Sequence, residues 1–311
     1  MAGLIDIWNF MENDSRRRAL KFFVTACVLS AMYYFIMETF GPVVEVDGGS
    51  QEIIGAPARI VAVAKNEKKA QIAIKAGFDE LIRINKLLSE DSNKVNRDAL
   101  TGPVKVSAEL FEVLQTGIDY SKLTKGAFDI TVADSNTNGG YEKLVLDAKN
   151  QTVRFAAAGM QLDLGGIAKG YAIDKAVEAM KCKGAIGGLV DAGGIIRCFG
   201  RPAKGGSWLV GMQGTKEIKN QKVKSKNAEE DANNQAGMVL KLKDMAAATN
   251  LGGITIIAPK AAVAEVIASA VGVLGAQKGL DLVDSLLGVE AIIVTEDGKI
   301  IKSRGADTYL Q

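Results

Sequence analysis

Residues 163–176 read DLGGIAKGYAIDKA, and the order of residue types in this stretch decides how the rest of the chain is read. Just before it, the pattern at 160–164 predicts a strand ending at Asp163 and Leu164. Gly165 and Gly166 follow; lacking Cβ atoms, they let a ligand come close to the backbone. Helical spacing of apolar residues over 171–180 then predicts a helix, with Lys169 near its start. Strand, glycine pair and lysine-bearing helix N-terminus together suit a phosphate, because free amides and the helix dipole favour negative charge there. Gly-Gly-x-x-Lys is short and common, so alone it nominates a site without naming a ligand. Asp163, Gly165, Gly166 and Lys169 are the candidate binding residues. Asp163 and Asp174 also read as caps or exposed charges, and Lys169 as a residue that merely covers the surface.

Upstream, a β-branched strand is expected at 59–64. A long amphipathic helix over 67–88 carries Ile72, Ile74, Phe78, Leu81, Ile84, Leu87 and Leu88 at helical spacing. A second helix is expected at 108–120 and a hairpin at 144–155. Downstream come strand-rich 188–199, a strand at 254–257, helices at 261–274 and 278–286, and a closing hairpin turning at Asp297-Gly298. Residues 214–236 are polar and poor in apolar side chains, as in a surface loop. Helices and strands interleave without strict βαβ periodicity, so the class is α+β.

Composition removes several functions. The chain has 311 residues, 48% hydrophobic and 24% charged, which allows one large domain or two small ones with ample apolar residues for a core. A formal net charge of +2 offers no basic stripe for phosphate backbones, so no nucleic-acid partner is expected. Three cysteines, Cys27, Cys182 and Cys198, include no CxxC pair and build neither a disulfide framework nor a zinc site. There is no histidine, which excludes any imidazole base supplied by this chain.

Residues 19–40 (ALKFFVTACVLSAMYYFIMETF) are long enough for the roughly 20 residues that cross a bilayer. Arg16, Arg17 and Arg18 precede the run, while Glu38, Glu45 and Asp47 sit at or beyond its end. The positive-inside rule therefore puts residues 1–18 in the cytoplasm and everything after the 41–52 linker outside, as in a bacterial-type inner-membrane protein. Val24 to Cys27 resembles a lipoprotein box, but the sequence stays apolar past Cys27, which favours an uncleaved anchor. Leu4, Ile5, Trp8, Phe10 and Met11 suit a short amphipathic helix on the cytoplasmic surface or a frayed leader.

As a whole, 163–176 resembles the signature of the ApbE-type FAD:protein FMN transferases. Other stretches agree in order: 126–131 (GAFDIT), 189–194 (LVDAGG), 208–213 (WLVGMQ), 246–249 (AAAT), Val273-Leu274-Gly275 to Gly279, and 289–291 (VEA). The resemblance spans about residues 53–302 and implies an ApbE-like (T-fold-like) domain over 53–311, behind one transmembrane helix. It implies FAD and Mg2+, with FMN passed from FAD to a threonine of a client protein. It adds Thr131, Gly193 and Thr249 to the cofactor-binding candidates and makes Asp129 the catalytic candidate. The metal would be held by the Ala168 carbonyl, Glu265 and Ser269, the last two one helical turn apart. Glu265 reads otherwise as a solvated helix residue and Ser269 as a packed small one.

Two departures stand out. Relatives place a long segment with a His-Ile-Ile-Asp-Pro motif after the A-x-A-T stretch, whereas here Thr249-Asn250 runs through Leu251-Gly252-Gly253 into the next strand. Relatives also offer a flavin-stacking aromatic after the position of Ser89, where this chain has Glu90-Asp91-Ser92 and a shortened loop. The expected function is therefore a degenerate, membrane-anchored relative that retains the fold and flavin binding as a subunit of a redox complex. The alternatives are an active transferase and, third, a FAD pyrophosphatase.

Overall fold

The computed structural model describes residues 14–53, 55–131, 140–212, 238–249, 252–295 and 298–311; the expected amphipathic segment at 4–11 and the polar stretch at 214–236 lie outside these. The chain divides into Met1–Val44 and Glu45–Gln311. The first unit contains helix α1 (Asp14–Phe40), on which Phe22, Phe23, Val24, Val28, Leu29, Met32 and Tyr33 are exposed. Among the described residues, no helix is long and apolar enough to cross a membrane.

The second unit is built on an eight-stranded sheet. Its strands, in spatial order, are β1 (Val44–Ile53), β2 (Ala56–Ala64), β6 (Gly187–Ala192), β7 (Ile195–Phe199), β10 (Ala246–Thr249), β11 (Ile254–Ala258), β12 (Glu290–Val294) and β13 (Ile300–Lys302). From β2 to β13 the neighbours pair antiparallel. A three-stranded sheet joins β3 (Val104–Lys105), β5 (Thr152–Phe155) and β4 (Leu144–Asp147); β8 (Trp208–Gly211) pairs with β9 (Val239–Leu242). The helices are α2 (Glu67–Asp98), α3 (Ala108–Leu123), α4 (Ala168–Cys182), α5 (Ala261–Leu274) and α6 (Ala276–Asp284). α2 lies against β2, α4 against β6 and β7, α5 against β10 and β11, and α6 against β12.

α2 starts where Asn66 accepts the Lys69 amide at 2.9 Å, and buries Ile74, Phe78, Leu81, Ile84 and Leu88, as its apolar period predicts. The expected loop at 90–92 is instead helix: α2 runs on to Asp98, because Val95 and Ala99 carry its buried stripe one turn further. Asp91 accepts the Ser107 amide at 2.8 Å and so helps to position the start of α3. Gly77 allows α2 to sit close to α4 and β2; a Cβ there would stand 2.8 Å from Ile60 Cδ1 and 3.1 Å from Met180 Cγ.

The expected strand at 160–164 does not form. Its pairing partner is a side chain, not another strand: Leu162 N–H donates to Asn96 Oδ1 at 2.6 Å, and Asn96 Nδ2 donates back to Leu162 O at 3.2 Å. The Asp163 amide donates to Ile130 O at 2.7 Å. An extended segment is thus satisfied without a ladder.

Candidate functional site

Residues 163–167 lead into α4, whose first turn meets the first turns of α5. Asp163 Oδ1 accepts the Gly165 amide at 2.8 Å, turning the chain, and Ala168 N–H donates to Leu164 O at 2.9 Å as α4 begins. Gly166 rests on α5 and on the 126–131 motif; a Cβ there would lie 2.9 Å from Ser269 Oγ and 3.0 Å from Phe128 Cε2. Gly170 is closer still, since a Cβ would meet Ala261 O at 2.4 Å and Ala262 Cα at 2.6 Å. Only glycine fits between these two helix ends.

Two carboxylates bind the ends together reciprocally. Asp174 of α4 accepts the Ala261 and Ala262 amides of α5 at 2.9 and 3.1 Å. Glu265 of α5 accepts the Gly170 amide of α4 at 2.8 Å through Oε2. Each helix thus caps the other's positive end. Asp174 also lies 3.6 Å from Arg197 Nη1; burial pushes its pKa up, opposed by those amides and by Arg197. Arg197 is partly buried, and its Nε and Nη1 atoms are enclosed and make no hydrogen bond among the described residues. Neither Gly170 nor Arg197 was singled out from sequence.

Glu265 is only 6% exposed, so the solvated reading is set aside. Burial pushes its pKa up to about 7, against the opposing pull of the Gly170 amide and Lys169. Lys169 Nζ lies 3.7 Å from Glu265 Oε1, with its side chain 36% exposed. Ser269 Oγ donates to Glu265 O at 3.0 Å, back along its own helix.

The donors nominated for Mg2+ can be tested against this geometry. Oxygen ligands are the right chemical type. However, one carboxylate oxygen of Glu265 is taken by an amide and the other faces an ammonium, while Ser269 and Ala168 offer only neutral oxygens. Among the described residues no cluster of three acidic, cysteine or histidine side chains is placed to hold a metal. With one partly neutralised anion in the set, Ala168, Glu265 and Ser269 do not fit a divalent ion in this arrangement.

A diphosphate fares better. The amides of Gly166 and Lys169 have no hydrogen-bond partner among the described residues, and the Lys169 ammonium is reachable from solvent. They sit at the start of a fifteen-residue helix. Amides at a helix N-terminus beside a cation are what a nucleotide's phosphates need.

The 126–131 motif forms turns. Thr124 Oγ1 accepts the Phe128 amide at 3.1 Å, and Asp129 Oδ1 accepts the Thr131 amide and hydroxyl at 2.8 and 2.7 Å. Asp129 Oδ2 accepts the Tyr141 amide at 3.0 Å. Thr131 is fully buried. Asp129 therefore shapes this turn with both oxygens.

Gly193 and Thr249 lie elsewhere, at the β6–β7 turn and the end of β10, where Thr249 meets Gly194. The β6–β7 turn has Gly193 and Gly194 at φ +60° and +84°, a conformation that favours glycine. Thr249 N–H donates to Gly194 O at 3.0 Å, and the Thr249 and Thr255 hydroxyls are 3.0 Å apart. No hydrogen bond or ion pair among the described residues joins this pair to the Gly165–Lys169 loop. Asp191, also missed in sequence, faces Arg59 across β2 and β6; burial raises its pKa, opposed by Arg59 and the Gly194 amide. β10 pairs with β11 from Ala246↔Ala258 to Thr249↔Thr255, so the ladder closes within a few residues of Thr249.

Comparison with known proteins agrees with this picture. The pattern of the ApbE family matches residues 54–293. The chain is 26% identical over 247 residues to the FAD:protein FMN transferase of Haemophilus influenzae, covering 66% of this chain and 71% of that one. It is 26% identical over 261 residues to the enzyme of the same name from Treponema pallidum, covering 68% and 72%. The crystal structure of an ApbE protein from Thermotoga maritima superposes with a TM-score of 0.71 at 22% identity, covering 86% of this chain and 99% of that one. The mixed α+β fold is thus shared with that structure.

Proposed function

Because the chain belongs to the ApbE family, we propose that it is a flavin-nucleotide-binding member that has lost group transfer and works as a membrane-anchored accessory or subunit of a redox complex. The observation that carries this reading is the direct antiparallel pairing of β10 with β11, in a chain with no histidine: where relatives are expected to place a histidine-bearing segment, only residues 250–253 separate the two strands here.

The retained parts favour binding. Gly165 and Gly166 keep the backbone open, the amides of Gly166 and Lys169 are left for a phosphate to accept, and the Lys169 ammonium would offset its charge. FAD, when bound, supplies the diphosphate for this cradle and the redox-active ring. Transfer to a threonine needs a group that takes the hydroxyl proton. Asp129 already accepts three hydrogen bonds, which argues against it as that base. The anchor rests on residues 19–40, on the arginines before them and on the exposed apolar side chains of α1. With the amino terminus cytoplasmic, the ApbE-like domain lies on the far side of the membrane.

An active FAD:protein FMN transferase is the second reading, favoured by the name its curated relatives carry. The test incubates the full chain, in detergent, with FAD, Mg2+ and a threonine-bearing client peptide, followed by mass spectrometry. Bound FAD with an unmodified peptide supports the proposal. FMN on the peptide overturns it in favour of transfer, and AMP release without peptide modification overturns it in favour of a pyrophosphatase.

A further inference from the structure

The place where the family resemblance puts a divalent ion is already neutralised by the chain itself. Glu265 is buried at the junction of α4 and α5, its Oε2 on the Gly170 amide at 2.8 Å and its Oε1 3.7 Å from Lys169 Nζ. A buried carboxylate is tolerated only when something offsets its lost hydration, and an amide plus an ammonium do so. A metal ion would need the same Oε1 and would stand next to the lysine, a like charge. Its remaining nominated ligands, the Ser269 hydroxyl and the Ala168 carbonyl, are neutral. Gly170 also lets the helix ends come so near that no longer-range arrangement is required; its Cβ would strike Ala261 O at 2.4 Å.

We propose that Lys169 is the standing counter-cation of this site, excluding divalent metal from Glu265, so that the chain takes a nucleotide diphosphate without a metal ion. The second half rests on the flavin-nucleotide reading above; the first half stands without it. Lys169 suits both duties, because its side chain is 36% exposed: the ammonium meets Glu265 on the protein side and remains reachable by phosphate from solvent.

The experiment uses the full chain in detergent at pH 8, with Mn2+ as the probe and electron paramagnetic resonance reading free Mn2+. Without nucleotide, wild type leaves the free signal undiminished. Lys169→Met removes the competing charge and yields saturable Mn2+ binding about tenfold tighter or more. Adding Glu265→Gln to that variant abolishes the gain. Circular dichroism accompanies each sample, and the wild-type titration alone is decisive in one direction: stoichiometric Mn2+ binding by wild type overturns the proposal. A folded Lys169→Met variant that binds Mn2+ no better than wild type overturns it too. In parallel, flavin fluorescence follows FAD binding in EDTA and in Mg2+; equal affinities within about twofold support the metal-free half, and tightening by about tenfold in Mg2+ overturns it. Failure of FAD to bind in either buffer defeats the flavin reading and leaves the Mn2+ result to judge the lysine.

Discussion

Replacing Gly170 by alanine adds one methyl group where two helices meet end to end. That carbon would sit 2.4 Å from Ala261 O, 2.5 Å from Ala261 C and 2.6 Å from Ala262 Cα, all backbone atoms that cannot rotate away. Ordinary contact needs about 3.5 Å or more, so α4 and α5 have to part by about 1 Å. Overpacking of this kind costs about 1–3 kcal/mol. The displacement also stretches the Glu265 to Gly170 hydrogen bond, a charged one worth about 1.5–3 kcal/mol. Against this, alanine gains about 1 kcal/mol over glycine within a helix. The net loss is about 2–4 kcal/mol, a fall in Tm of roughly 5–15 °C for a domain of this size. Thermal unfolding of the full chain measures it, with Gly102→Ala as the control, since a Cβ at Gly102 meets nothing within 4 Å. A Gly170→Ala protein as stable as wild type would refute the close-approach argument, because helix propensity would then have outweighed it.

The remaining predictions concern the carboxylates. Asp174→Ala removes both amide caps of α5 and leaves the partly buried Arg197 without its carboxylate, so it destabilises by about 2–4 kcal/mol in denaturant unfolding. Adding Arg197→Met recovers part of that loss, and a double-mutant cycle reads the coupling. Glu265 holds its proton more tightly folded, at about 7, than at the ordinary 4.5. Its contribution to stability therefore falls as pH rises from 4.5 to 7, by up to about 3 kcal/mol, and Glu265→Gln flattens the profile over that window. Asp129→Ala frees the Thr131 and Tyr141 amides and costs about 1–3 kcal/mol by thermal melting.

Much of this was legible in the sequence because it is local. The period of α2, the helix that follows the glycine pair, and the one-turn spacing of Glu265 and Ser269 all depend on residues near one another in the chain. What escaped is long-range. The strand expected at 160–164 is satisfied by Asn96, 66 positions away from Leu162, and no alternation pattern encodes a side chain acting as a ladder. The reciprocal caps join Glu265 to Gly170 across 95 positions and Asp174 to Ala261 across 87, so Asp174 read only as a charge that could cap or be exposed. The Glu90-Asp91-Ser92 run resembles a loop by composition, yet burial of Val95 and Ala99 keeps it helical. For the site, the glycine pair and Lys169 before α4 were nominated from residue type, as a place where a phosphate could approach the backbone. The neutralised state of Glu265 was not, because burial of one carboxylate beside one lysine is a property of packing.

Titration of FAD into the purified full chain, followed by flavin fluorescence for wild type and for Lys169→Gln, tests the nucleotide cradle most directly. Saturable binding by wild type, weakened about tenfold or more by the loss of one ammonium at the phosphates, is the expected result. Affinity that is unmeasurable in wild type, or unchanged in the variant, would contradict it.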